Sequence, residues 1–382
     1  MRKICAVIGS MASYSGLKSA MSAVQKHPDL DLSIIAAASA LPDRYGPVVN
    51  WIEQDGFRVT GRAHMLVEGE TPSTMAKSMG LGLIELATLF EQLQPDLVIT
   101  VGDGFEAIVT ALTASYMSIP VAHTMGGEVS GTIDDSLRHA VTKFAHIHFP
   151  ASQNARERII KMGERPEDVY LVGCPRIDLA AEVLERDRNG LGPDLAASVG
   201  SLFDPRQPFL IVSQHGVTAE YGAGEQQIYE TLLAVEQLRL PTLVMWPNAG
   251  TGAEDISRGI RQFRRHHPTA PVHFLRSLPA EVYITLMRRT VCMIGNSSSA
   301  IREGAFIGTP AVNVGTRQAH RERAHNVLDV DYDREEIADA VQTQIAHGRY
   351  ESNSIYGDGH AGERIAGVLS SCSWRLEKQI TY

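Results

Sequence analysis

The chain predicts an α/β protein built from two Rossmann-like, doubly wound domains that face each other across a cleft. Short, continuous apolar runs, the mark of strands buried on both faces, end abruptly in glycine, serine or a polar residue. Segments of helical length separate these runs, in the order that winds a parallel sheet. The alternation occurs twice, so the 382 residues divide into domains 1–182 and 183–382, each long enough to bury its own core.

In the first half, Lys3 to Ile8 is a strand, and Gly9 to Gly16 is a turn leading into a helix that begins near Leu17. Asp31 to Ala37 and Gly56 to Val59 read as the second and third strands. Met65 to Ser78 is a polar loop near the cleft. The helix after it, Met79 to Leu93, repeats Leu83, Leu86, Phe90 and Leu93 at helical spacing. Leu97 to Val101 is a strand ending in Gly102-Asp103-Gly104-Phe105-Glu106, and Ile119 to Ala122 is one ending in His123-Thr124-Met125-Gly126-Gly127-Glu128. A polar stretch, Val129 to Ser136, precedes a helix from Leu137 to Ala145. His148-Phe149 and Val169 to Val172 close this half, and the polar segment Leu179 to Pro208 is the domain crossing.

The second half repeats the scheme. Its strands are Pro208 to Ser213, ending at Gln214-His215, Thr242 to Trp246, ending at Pro247-Asn248, and Val272 to Leu275. Two more follow, Thr290 to Ile294 and Pro310 to Val314. The first runs into Gly295-Asn296-Ser297-Ser298-Ser299 and a helix carrying Glu303, the second into Gly315-Thr316-Arg317. The tail, Ala361 to Gln379, is a helix with Trp374 as packing anchor, expected to lie back on the first domain.

A net charge of −9 and a pI near 5.9 exclude a general binder of nucleic acid or anionic membrane, because both select basic faces. No apolar segment reaches the roughly 20 residues of a membrane helix, and the apolar start is too short for a signal peptide, so a cytoplasmic protein is expected. Cys5, Cys174, Cys292 and Cys372 lack metal spacing and read as core thiols. There is no Walker loop and no Gly-x-Gly-x-x-Gly after the first strand, so neither a P-loop nor a nicotinamide site is expected. No cofactor or metal is expected.

Ligands of open parallel sheets bind beyond the carboxyl ends of the strands. Ser297 and Ser298 there open a helix, where free N–H groups and the helix dipole receive phosphate, and Arg317 can reach the same edge. Asp103, Asp134, Glu128 and His215 are the candidate acid/base groups, with His139 nearby in sequence. Simpler roles stay open: small residues are common at strand-to-helix turns, Asp134 could cap a helix, Glu128 could hold a loop, and His215 could be an ordinary loop histidine.

With these residues in view, the chain resembles the UDP-N-acetylglucosamine 2-epimerase family, in its hydrolysing branch. The resemblance rests on Gly126-Gly127-Glu128-Val129-Ser130-Gly131-Thr132-Ile133-Asp134-Asp135-Ser136-Leu137-Arg138-His139 and on Gly295-Asn296-Ser297-Ser298-Ser299 through Gly315-Thr316-Arg317-Gln318. It implies a fold of the GT-B type and a homodimer. It implies loss of the nucleoside diphosphate by elimination across C1 and C2, then water addition with inversion at C2. It implies a UDP-linked sugar as ligand, held by His215, Ser297, Ser298, Glu303 and Arg317, with Asp103 and Asp134 in catalysis; Ser10 and Asn248, at strand ends, are further candidate contacts. Three positions depart from the family pattern: Met11 and Gly104 stand where it has arginine, and Met125 where it has a catalytic glutamate. Ser13 also replaces an acid in the first loop. All lie in the amino-terminal, sugar-facing half, and Met125 is therefore expected to mark a changed reaction. The readings are hydrolytic 2-epimerisation, transfer or hydrolysis without change at C2, and a non-catalytic nucleotide-sugar binder.

Overall fold

The structure, a computed structural model, describes residues 1–188, 195–200, 203–247 and 249–381, with backbone alone at 196 and 197. The first half runs β1 (Arg2–Ile8), α1 (Met11–Lys26), β2 (Leu30–Ala37), α2 (Val48–Gln54), β3 (Val59–Ala63) and α3 (Pro72–Leu93). It continues with β4 (Leu97–Val101), α4 (Phe105–Tyr116), β5 (Val121–Thr124), α5 (Ile133–Phe144), β6 (Ile147–Phe149), α6 (Gln153–Lys161) and α7 (Pro175–Arg188). The second half runs α8 (Leu195–Val199), β7 (Leu210–Ser213), α9 (Gly224–Leu238), β8 (Thr242–Met245), α10 (Ala253–His266), β9 (Val272–Leu275) and α11 (Ala280–Arg289). Then follow β10 (Cys292–Gly295), α12 (Ser298–Ile307), β11 (Ala311–Val314), β12 (Val327–Val330), α13 (Arg334–His347) and α14 (Ala361–Ser371).

Two parallel six-stranded sheets result, ordered β3-β2-β1-β4-β5-β6 and β12-β11-β10-β7-β8-β9. This is the doubly wound order the sequence predicts. In each sheet the winding reverses between two strands, β1 and β4 in one, β7 and β10 in the other, and the crevice at such a reversal is where ligands enter. Residues of β4 and β7 are buried throughout, which is why both read as unbroken apolar runs. Helix α14 packs on α1 and α7. Asp178 of α7 accepts from the Ala361 and Gly362 N–H groups at 3.0 and 2.6 Å, and Arg2 donates to the Leu369 and Cys372 carbonyls at 2.8 and 2.7 Å. Arg2 also stacks 4.9 Å from the Trp374 ring centre, so the tryptophan does anchor the tail. All four cysteines are free and buried.

Several boundaries differ from the sequence reading, mostly because caps look like turns. Helix α1 starts at Met11, not Leu17, since Ser10 and Ser13 form a capping box. Thr71 and Thr74 do the same for α3, which takes in the end of the expected polar loop. Thr132 caps α5, which starts at Ile133, not Leu137. The third strand is Val59–Ala63 instead of Gly56 to Val59. Val169 makes only an isolated bridge to His148, so Val169 to Val172 is no strand. Helix α7 runs well into the expected crossing, and residues 189–194 and 201–202 of that segment lie outside the described residues. Strand β12 and helix α13 were not foreseen, and the last helix stops at Ser371, not Gln379.

Candidate active site

The two reversal crevices open into one cleft of about 470 Å³, in the range of about 300–1,000 Å³ usual for small-molecule sites. Ser10, Asp103, Asp134, His215, Ser297 and Ser298 all line it, as do Glu303 and Arg317.

On the second-half wall, β10 ends in Gly295 with φ at +118°, a conformation that suits glycine, and any Cβ there would strike the Ser213 carbonyl of β7. Asn296, next in the chain, accepts from the His215 N–H at 2.7 Å and donates to the His215 carbonyl at 2.9 Å, so it fixes the loop after β7. Its own carbonyl accepts from Arg317 at 3.1 Å and Gln318 at 3.0 Å. Ser297 caps α12. The N–H groups of Ser297 and Ser298 have no protein acceptor among the described residues, and the dipole of α12 adds positive potential there. Burial, reinforced by the Arg317 charge, pushes the His215 pKa down to about 3, so its imidazole is neutral at neutral pH and offers a hydrogen bond without a charge. Further along α12, Glu303 has one carboxylate oxygen buried without a hydrogen bond, while Arg176 stands 3.6 Å from the other. An acceptor left open at the cleft is suited to hydroxyl groups such as those of a ribose.

The first-half wall is acidic. The Gly102 carbonyl is held by His123 Nε2 at 2.8 Å, which sets the turn carrying Asp103. Asp103 is ion-paired with the buried Arg138. Arg138 also donates to Asp135 at 2.6 Å and to the Glu128 carbonyl at 2.9 Å. The neighbouring acids therefore divide. Asp135 closes its loop by accepting from the Ser130 and Gly131 N–H groups at 2.8 Å. Asp134 caps nothing: its own N–H donates to Thr132, and its carboxylate faces the cleft, where it supports the charge of Arg317 on the opposite wall. Ser10 caps α1, and the Gly9 and Ser10 N–H groups are both taken by Ser13 Oγ at 2.9 Å.

Two candidates are placed elsewhere. Glu128 does not line the cleft; it is buried between Arg302 and Arg321 of the second half, and their charges hold its carboxyl below the usual range. That geometry makes it a latch between the halves and a poor proton acceptor. Met125 lies in the core with φ at +59°, and Cys174 Sγ is 3.7 Å from its sulfur. The position thought to have lost a cleft acid is thus not on the cleft wall. Asn248 lies outside the described residues. His139 is half-buried on α5 and is not a lining residue. The sequence reading passed over Glu106, a buried cleft-lining carboxyl in the first turn of α4. Among the described residues no three His, Cys, Asp or Glu side chains gather as a metal site.

Paired Rossmann-like sheets around a cleft with an anion-accepting helix end on one wall and carboxylates on the other define a GT-B-like protein of the nucleotide-sugar class. The sequence profile of UDP-N-acetylglucosamine 2-epimerase matches residues 22–370, and the chain belongs to that family. It is 32% identical to a UDP-N,N'-diacetylbacillosamine 2-epimerase (hydrolyzing) of Legionella pneumophila, over 97% of this chain and 96% of that one. It is 28% identical to a UDP-N-acetylglucosamine 2-epimerase of Neisseria meningitidis, over 99% and 98% of the two chains. The fold matches that of the Methanocaldococcus jannaschii UDP-GlcNAc 2-epimerase in complex with UDP-GlcNAc and UDP, with a TM-score of 0.80, 16% identity and coverage of 96% and 99%.

Proposed function

We propose that this protein is a hydrolysing 2-epimerase that cleaves the anomeric C–O bond of a UDP-linked 2-acetamido sugar, inverts C2 and releases UDP and the free sugar. The observation that carries this is the division of the cleft. The open N-terminus of α12, Arg317 and the unsatisfied Glu303 oxygen suit a nucleoside diphosphate, while Asp103 and Asp134 face the sugar position for proton transfer.

The sugar side also carries Met11, Met75, Met79, Ile133 and Leu137. That apolar wall suits a 6-deoxy sugar with two acetamido methyl groups better than one with a hydroxymethyl group, because burying an unpaired hydroxyl costs free energy. The Legionella relative is named for such a substrate, and we take UDP-N,N'-diacetylbacillosamine as preferred over UDP-N-acetylglucosamine. The same reading includes a cytoplasmic homodimer. The test is incubation of each UDP-sugar in deuterated water, followed by NMR. Free sugar with inverted, deuterated C2 is expected from the diacetamido substrate. UDP release without deuterium at C2 would instead point to a hydrolase or transferase.

A further inference from the structure

We propose that Glu106 is the proton donor to C2 of the sugar in this cleft. The inference rests on the 2-epimerase reading above and names a group which that reading does not use.

The side chain of Glu106 folds back from α4 into the crevice between β1 and β4, the winding reversal of the first sheet. Gly9, at the end of β1, and Gly104, after β4, make the room. A Cβ on Gly9 would collide with Glu106 Cγ, and one on Gly104 would come within 2.5 Å of Oε2. Gly104 has φ at −59°, open to any residue, so a Cβ there would meet only the carboxyl end of the Glu106 side chain and push it aside. Glu106 is 8% exposed and lines the cleft.

Glu128 is buried too, but with two arginines around it, a structural arrangement. Glu106 has no ion-pair partner among the described residues, and its hydrogen bond is to its own backbone N–H. Burial without a counter-charge raises its pKa, which favours the neutral acid. A neutral carboxylic acid at a ligand site can give up a proton.

The steps balance as follows. The C1–O bond breaks with its electron pair leaving on UDP, one cleft aspartate takes the C2 proton, and a C1–C2 double bond forms. Glu106 then gives its proton to C2, the double-bond pair making the new C–H bond and leaving a cation at C1 that the ring oxygen shares. Water bonds to C1 and loses a proton to the second aspartate. As products leave, the two aspartates release their protons to solvent and Glu106 regains one. One water is consumed, and UDP, sugar and one net proton are formed.

Glu106→Gln keeps the shape and removes the titratable proton. With UDP-N,N'-diacetylbacillosamine, turnover to epimerised sugar is expected to fall by about 10²–10⁴, with UDP affinity by calorimetry unchanged and the unsaturated sugar appearing in the NMR spectrum. Gly104→Ala displaces the carboxyl from outside, and should lower turnover without a further loss when combined with Glu106→Gln. A Glu106→Gln protein with wild-type turnover overturns the proposal. So does a wild-type enzyme that frees UDP without exchange at C2, since no proton is then delivered there. A wild-type protein that frees no UDP from either substrate removes the 2-epimerase reading itself, and is recognised before any variant is compared.

Discussion

After β10 the N–H of Ser297, the cap of α12, is left unspent, whereas after β1 the N–H groups of Gly9 and of the cap Ser10 are both taken by Ser13 Oγ. Both helices follow strands at a winding reversal and both carry a serine cap. One edge presents its cap N–H and Arg317 to the cleft; the other commits its cap N–H to its own loop and presents Asp103, Asp134 and Glu106. The same strand order thus yields two different walls, distinguished chiefly by the side chains each presents. On the function proposed above, a diphosphate is drawn to the second half, which sets the sugar of a nucleotide sugar over Asp103, Asp134 and Glu106.

The buried latch between the halves offers the strongest way to break this arrangement. Glu128→Ala strands Arg302 and Arg321 in the interior, and removing one partner of a buried ion pair costs about 3–5 kcal/mol. Denaturant unfolding should show a loss of that order. A loss below about 1 kcal/mol, the value of a surface pair, would mean that the halves are held together by something else.

Met125→Glu sharpens the comparison from the sugar side. If the position belongs to the core, as its packing on Cys174 indicates, a buried carboxyl should cost about 2 kcal/mol or more and turnover should not rise. Thermal melting and the UDP-release rate together test this, and increased turnover at unchanged stability would put residue 125 in the catalytic wall after all.

A smaller effect follows from His123, which holds the Asp103 turn. Burial lowers its pKa from 6.5 to about 3, so below pH 6.5 the unfolded chain binds a proton that the folded protein refuses. This contribution is fully present above pH 6.5 and is lost as the pH falls toward 3. Replacing His123 by Gln should make the decline in melting temperature between pH 6.5 and 4.5 shallower than in the wild type. An unchanged slope would show that His123 is charged in the fold.

The strand ends were legible because an apolar run meeting glycine is a one-dimensional signal, and Asp103, His215 and Ser297 follow directly from it. What escaped is encoded by contacts distant in sequence. Glu128 reads as a candidate acid/base group in the sequence because its arginines lie 174 and 193 residues away. Glu106 carries no local signal, since only the close approach of β1 to β4 brings Gly9 over its side chain. The starts of α1 and α5 were set too late for a local reason: capping serines and threonines carry the same letters as turns.

The division of labour is tested most directly by measuring UDP affinity and turnover on one variant from each wall. Ser298→Ala with Arg317→Ala should weaken UDP binding in calorimetry by about 1.5–3 kcal/mol, the worth of charge-assisted hydrogen bonds. Asp134→Asn should leave UDP affinity unchanged while turnover falls by about 10²–10⁴. Unchanged UDP affinity in the double variant, or an equal loss of UDP affinity in Asp134→Asn, would contradict a nucleotide wall and a chemical wall on opposite sides of the cleft.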